Sequence, residues 1–190
     1  NTLANLRVLI GTDPQRAQAM LDRLIAFLRS TLDASRTATL PLASEFDRLA
    51  DYLALMAVRM GPRLQVALDL PDELRQLPMP PLLLQPLVEN SIKHGPDLTN
   101  DSVHIVVKAS KDGDRLWLEV VDNGKGCSDV IHAMANGGIG LRNVRDRVQL
   151  LYGERSSFTI SSPEARGFHV RIGLPLERSP EPELETHRRP

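Results

Sequence analysis

The sequence predicts an α+β protein: a helical hairpin, then a sandwich with helices on one face of a mixed, mostly antiparallel sheet. Three features point there. Up to Met60 the apolar residues recur every three or four positions, as on the buried stripe of a helix. Beyond Gly61-Pro62 they alternate with other residues, the period of a half-buried strand. Between two such runs, Lys111-Asp112-Gly113-Asp114 has the chemistry of an antiparallel hairpin turn.

The elements follow in order. Thr2 to Leu6 is helix-like, and Asp13-Pro14 marks a helix start, a side-chain acceptor at the cap followed by a proline that needs no amide partner. Ala17, Met20, Leu21, Leu24, Ile25, Leu28 and Leu32 form that helix's stripe. After the polar stretch Ser35 to Thr39 comes a narrower one, Phe46, Leu49, Leu53, Met56 and Met60, as two packed helices share, and Gly61-Pro62 ends it. Leu64, Val66, Leu68 and Leu70 then suggest a strand. Pro78, Pro80 and Pro81 hold the chain extended ahead of an apolar helix over about Leu82 to Lys93. Val103, Ile105 and Val107, and past the turn Leu116, Leu118 and Val120, make a strand pair. A loop from Gly124 to Gly138 leads to a helix from about Leu141 to Tyr152, and Ser157 to Ser161 and Phe168 to Leu174 read as closing strands. The organisation expected is a helical hairpin over 1–61, a second domain over 62–176, and a Pro- and Glu-rich tail over 177–190 that should stay disordered.

Bulk properties exclude several classes. Lys and Arg total 23 against 24 Asp and Glu, a net charge of -1, which gives no electrostatic footprint for nucleic acid. The one cysteine, Cys127, excludes an internal disulfide and suits a reducing compartment. No apolar run reaches the roughly 18 residues needed to span a bilayer. The sequence opens on Asn1 without an initiator methionine and reads as a fragment, with upstream membrane segments possible.

Three clusters could carry chemistry. Glu89-Asn90-Ser91-Ile92-Lys93-His94-Gly95 ends the apolar helix and sets polar groups at a pocket edge. The Asn90 amide oxygen suits Mg²⁺, a hard cation that often binds together with phosphates, and Lys93 and His94 could face those phosphates. A plain polar helix end is an equal reading. Asp122-Asn123-Gly124-Lys125-Gly126 follows a strand and could recognise a base, with glycines admitting the ligand close to backbone. A plain turn is its alternative; an EF-hand calcium loop fails because Cys127-Ser128-Asp129-Val130 supplies no alternating acids. Gly137-Gly138-Ile139-Gly140-Leu141-Arg142-Asn143 leads into a helix, whose free amides and dipole favour an anion. A dinucleotide fingerprint is excluded, since Asn143 stands at the third glycine position and a loop precedes it; no Gly-Lys-Ser/Thr follows to make a P-loop. No paired-cysteine metal site, G-x-S-x-G elbow or H-E-x-x-H is present. Trp117 and the scattered His104, His132 and His169 have ordinary packing or solvated roles as their default.

In this order and at these intervals the clusters resemble the N, G1 and G2 boxes of the GHKL (Bergerat-fold) ATP-binding domain. The surrounding wording resembles the LytS-type sensor histidine kinases. It is carried by Pro81-Leu82-Leu83-Leu84-Gln85-Pro86-Leu87-Val88-Glu89-Asn90, by Lys93-His94-Gly95, and by Gly138 through Val144. The helical part joins in through Phe27-Leu28-Arg29, Leu42 to Glu45, Tyr52-Leu53 and Arg59.

The resemblance implies ATP and Mg²⁺ as ligands. Asn90 would coordinate Mg²⁺ against the triphosphate, and Asp122 would accept from the adenine amino group with Gly124 and Gly126 letting the base lie close. Gly138 and Gly140 would hinge a short lid, with amides near Leu141 on the phosphates. Lys93, His94 and Asn143 are further phosphate candidates, and Glu89 a candidate for proton handling. The family's phosphate-accepting histidine lies in a His-Phe-Leu-Phe-Asn motif whose last residue Asn1 resembles, which places that histidine upstream. None of the five histidines, His94, His104, His132, His169 and His187, falls in the hairpin.

The function implied is transfer of the ATP γ-phosphate to that histidine and on to a response regulator, of LytTR type. The full-length protein would be a homodimer through the hairpin, a cytoplasmic catalytic domain anchored in a bacterial inner membrane. An ATPase of the gyrase, Hsp90 or MutL kind is the rival; those resembling hydrolases carry a water-activating Glu one turn before the Asn, where this sequence has Pro86. A regulatory module without kinase activity is the third reading, against which the intact boxes stand.

Overall fold

The computed structural model describes residues 2–94, 102–127, 139–162 and 167–176. Helices α1 (Thr2–Thr12) and α2 (Pro14–Ser35) are separated by Asp13 alone, whose extended backbone breaks the helix while its carboxylate accepts the Arg16 amide at 3.1 Å. The cap read from Asp13-Pro14 is therefore the one used. A two-residue strand β1 (Leu40–Pro41) precedes helix α3 (Leu42–Met60), which Gly61 ends at φ 61°, a left-handed conformation that glycine adopts without strain.

The two helical stripes behave differently. Phe46, Leu49, Leu53, Met56 and Met60 of α3 are all buried, as their spacing required. On α2 only Ala17, Met20, Phe27 and Ala34 are buried, while Leu28 and Leu32 stand 50% and 60% exposed, with Leu21 and Ile25 also open. Periodicity reports that a face is apolar but not how much of it this chain covers. Here α1 and α3 pack on α2 and leave Leu21, Ile25, Leu28 and Leu32 uncovered.

Five strands form the sheet in the order β2-β4-β5-β7-β6: β2 (Leu64–Asp69), β4 (Val103–Asp112), β5 (Arg115–Asp122), β6 (Ser157–Ser161) and β7 (Phe168–Pro175). Every pairing is antiparallel except that of β2 with β4, so the sheet is mixed and mostly antiparallel as expected. Gly113, at φ 59°, makes the tight turn between β4 and β5. Val103, Ile105, Val107, Leu116, Leu118, Val120, Val170 and Ile172 fill the inward face and share one core with α3, α4 (Gln85–His94) and α5 (Ile139–Tyr152).

Trp117 does pack, but on the outer face. Its ring lies over Gly173, where an added Cβ would fall 2.7 Å from Trp117 Cζ3, and the Arg171 guanidinium stacks 3.8 Å from the ring centroid.

One expectation is corrected. The apolar run does not become helical at Leu82: residues 81–84 form a bend, Leu82 has φ 61°, and α4 begins at Gln85. The cause is long-range. The buried Glu45 carboxylate of α3 accepts the amides of Leu82 at 2.8 Å and Leu84 at 2.9 Å, and the Arg147 guanidinium donates to the Pro81 carbonyl at 2.7 Å. Those bonds hold a leucine in a conformation that costs on the order of 1–3 kcal/mol when unsupported. Just upstream, β1 pairs with β3 (Pro78–Met79), and the Leu42 and Ala43 amides that open α3 are capped by the Leu77 and Arg75 carbonyls.

Candidate functional site

Asp122 is the last residue of β5, inward-facing and 8% exposed. A carboxylate in such a place requires hydrogen-bond donors. It has two: Oδ1 accepts the Gly124 amide at 2.8 Å and the Phe168 amide at 3.2 Å. Among the described residues both bonds fall on Oδ1, so Oδ2 keeps its acceptor capacity for a ligand. Gly124 is buried beside it, its carbonyl accepting the Gly167 amide at 2.8 Å, and Gly126 has φ 70°. Asn123 has a different task. Its amide bridges the His104 amide and the Ser102 carbonyl at 2.8 and 2.9 Å, fastening the end of β5 to the start of β4.

The cradle depends on a residue outside the three clusters, Gly167. Gly167 has φ 68°, and a Cβ there would fall 2.5 Å from the Asp122 carbonyl oxygen. Only glycine lets the chain pass so close and deliver the Phe168 amide to Asp122. A glycine immediately before the last strand was the one available hint.

Helix α4 packs against β5 and α5 and carries Glu89, Asn90, Lys93 and His94 of the first cluster. Asn90 is half-buried, and its side chain makes no hydrogen bond to any described residue. An oxygen left uncommitted in this way fits a ligand for Mg²⁺, which draws its other ligands from phosphates and water. Glu89 is exposed and accepts from Gln85 Nε2 at 2.8 Å. Lys93 is exposed, and His94 closes α4 with its side chain outside the described atoms. Gly140 lies in the first turn of α5, 3.5 Å from Pro86 Cβ by its would-be Cβ, which joins the starts of α4 and α5. Leu141 is buried, so its backbone alone could meet a ligand; Asn143 is exposed on the same helix. Gly138 and the loop expected to act as a lid lie outside the described residues, as does the tail 177–190.

On the hairpin side, Tyr52 of α3 stacks against Phe27 of α2 with ring centroids 5.7 Å apart. Burial, and then the Glu89 carboxylate, push its phenol from 10.0 up to about 12, with Arg59 opposing them.

Comparison with known families agrees with this architecture. Residues 1–64 match the family described as histidine kinase, and residues 81–178 match the histidine kinase-, DNA gyrase B-, and HSP90-like ATPases. The second match takes in Asn90, Asp122 and α5 and covers over half of the chain. The chain belongs to this ATPase family.

Its sequence relatives include sensor proteins and a sensor histidine kinase. The sensor protein LytS of Enterococcus faecalis is 30% identical over 189 residues, 94% of this chain and 32% of that one. LytS of Bacillus subtilis is 28% identical over 96% and 32%. The sensor histidine kinase BtsS of Escherichia coli is 29% identical over 92% and 30%. The chain thus spans about a third of the length of these relatives. Among solved structures, the histidine kinase domain of the blue-light-activated kinase of Erythrobacter litoralis superposes with a TM-score of 0.60 at 20% identity, covering 90% of this chain and 84% of that one. Acinetobacter baumannii AdeS gives 0.57 at 14% identity over 93% and 94%. At those identities the likeness establishes the fold, and the LytS-type resemblance read from the motifs is borne out by the sequence relatives. No helix among the described residues is long and apolar enough to cross a membrane.

Proposed function

We propose that the chain is the ATP-binding catalytic core of a two-component sensor histidine kinase. The observation that carries it is Asp122, a buried strand-end carboxylate with Oδ1 saturated by two backbone amides and Oδ2 left to accept from an adenine amino group. Gly124 and Gly126 admit the base beside it, and Asn90 supplies an oxygen to Mg²⁺, which when bound neutralises phosphate charge. Lys93, His94, Asn143 and the amides near Gly138, Gly140 and Leu141 attend the phosphates, and Glu89 the moving proton.

Phosphoryl transfer is mainly a matter of positioning and charge stabilisation. In this reading the residues of α4 and α5 fix the triphosphate, and the γ-phosphate passes to a histidine presented by the helical bundle to which α1–α3 belong. All five histidines lie beyond residue 61, so the acceptor is not within α1–α3 of this chain. From there it passes to a response regulator, of LytTR type. The exposed half of α2 supports pairing with a second copy through the hairpin, residues 1–61, with residues 62–176 as the nucleotide-binding part. The full-length protein sits at a bacterial inner membrane with this part in the cytoplasm.

The ATPase reading is the rival, and Pro86 weighs against it: a side chain with no acid or base cannot activate water. Calorimetry and a phosphate-release assay separate the two. The chain should bind MgATP in preference to MgGTP and hydrolyse it slowly; brisk hydrolysis would move it to the ATPases.

A further inference from the structure

The hairpin and the nucleotide half are joined by more than apolar packing. Residues 40–45 lie against residues 75–84 along a continuous series of bonds: the β1–β3 pair, the Leu77 and Arg75 carbonyls on the first amides of α3, then Glu45 on the amides of Leu82 and Leu84. The last two matter most. Glu45 is 1% exposed and is shared between Arg48, on Oε2, and this turn, which uses both of its oxygens. The turn it holds contains Leu82 at φ 61° and runs straight into α4, the helix that carries Asn90 eight residues beyond Leu82. Arg147 grips the same turn from α5 through the Pro81 carbonyl.

Further along α3, at seven-residue intervals that keep one face of the helix, come Tyr52 and Arg59. Glu89 of α4 and Arg59 both lie close enough to Tyr52 for their charges to be felt at its phenol, and Phe27 ties Tyr52 back to α2. Tyr52 thus joins α2 and α3 to Glu89 of α4.

We propose that Glu45 is a positioning residue of the nucleotide site: it sets where α4 begins, and so where Asn90 stands, making Mg-nucleotide affinity depend on the placement of α3. The proposal rests on the reading of Asn90 and Asp122 as the MgATP site. Because coupling of this kind is reciprocal, nucleotide on Asn90 must also tighten the Glu45 turn.

The test uses Glu45→Gln, which keeps the shape but offers one carbonyl oxygen where two amides need acceptors. Binding of ATP is measured by calorimetry with Mg²⁺ and with a chelator, for the wild type, Glu45→Gln, Asn90→Ala and the double variant, beside thermal melts. Glu45→Gln should weaken MgATP by about three- to thirty-fold, within the span of couplings between interacting groups. It should leave chelated ATP, held by Asp122, nearly unchanged, and it should cost nothing further once Asn90 is alanine. A lower melting temperature with unchanged affinities, or equal losses with and without Mg²⁺, would make Glu45 merely structural. Wild-type chain that fails to bind MgATP would sink the nucleotide reading itself, whatever Glu45 does. If Glu45→Gln does not fold, the wild type still decides: hydrogen exchange at the Leu82 and Leu84 amides should slow on adding MgATP, and exchange that does not change would overturn the proposal.

Discussion

Replacing Asp122 with asparagine should exchange the base preference of the site while leaving the fold intact. Oδ1 receives two backbone amides, from Gly124 at 2.8 Å and Phe168 at 3.2 Å. An asparagine must put its carbonyl oxygen there, because its NH₂ would oppose two donors. The NH₂ is thereby forced into the place of Oδ2, the atom assigned to the ligand. An acceptor for the adenine amino group becomes a donor, matched instead to the guanine carbonyl. Loss of a hydrogen bond to a charged group costs about 1.5–3 kcal/mol, so ATP should weaken on the order of ten- to a hundred-fold. GTP should not weaken with it, and the preference for ATP should shrink at least ten-fold or reverse. Asp122→Ala is the contrast: it also orphans both amides, at about 1–3 kcal/mol each, so it should lose stability as well as affinity. Titration calorimetry with both nucleotides, paired with thermal melts, reads all of this. Parallel loss of ATP and GTP in Asp122→Asn, or unchanged ATP binding, would refute the assignment of Oδ2 to the base.

Asn90→Ala should weaken ATP about ten-fold when Mg²⁺ is present and little when it is chelated; equal losses in both conditions would make the residue structural. Gly167→Ala and Gly173→Ala should part company. The first forces a left-handed alanine, about 1–3 kcal/mol, against the Asp122 carbonyl, and should lose stability and ATP together. The second meets Trp117 and Ser157 on the outer face and should lower the melting temperature while folded protein binds ATP normally; reduced affinity there would contradict the placement of the site. Tyr52 predicts an alkaline limb. Its phenol is raised from 10.0 to about 12 in the folded chain, so its contribution to stability is whole below pH 10 and is lost between 10 and about 12. Tyr52→Phe should flatten that part of a melting-temperature profile, and an identical slope would show that Tyr52 is not its source.

What the sequence made legible was local. Asp13-Pro14 start α2, Gly61 ends α3, and β6 and β7 begin where the alternation begins, because caps, turns and periods act within a few residues. The Asp122 and Asn90 clusters could be found because glycines and polar groups interrupt apolar runs. What stayed hidden depends on partners far along the chain. Nothing near Leu82 says that a carboxylate 37 residues earlier will take its amide, so three leucines read as helix. Glu45 looks like an ordinary acid in the first turn of α3, where charge complements the helix dipole, and its burial is invisible. Gly167 likewise matters only because Asp122 is its neighbour across the sheet.

The bonds between residues 40–45 and 75–84 bear on how such proteins can be recombined. A hairpin transplanted from a relative with its junction at Gly61 would bring its own counterparts of Leu40, Pro41 and Glu45 to a strap that evolved with others. The helices could be well formed and the nucleotide half intact, and the hybrid would still lack a shared register between them. A working chimera should therefore transfer residues 75–84 together with the helices, treating two stretches distant in sequence as one inherited part.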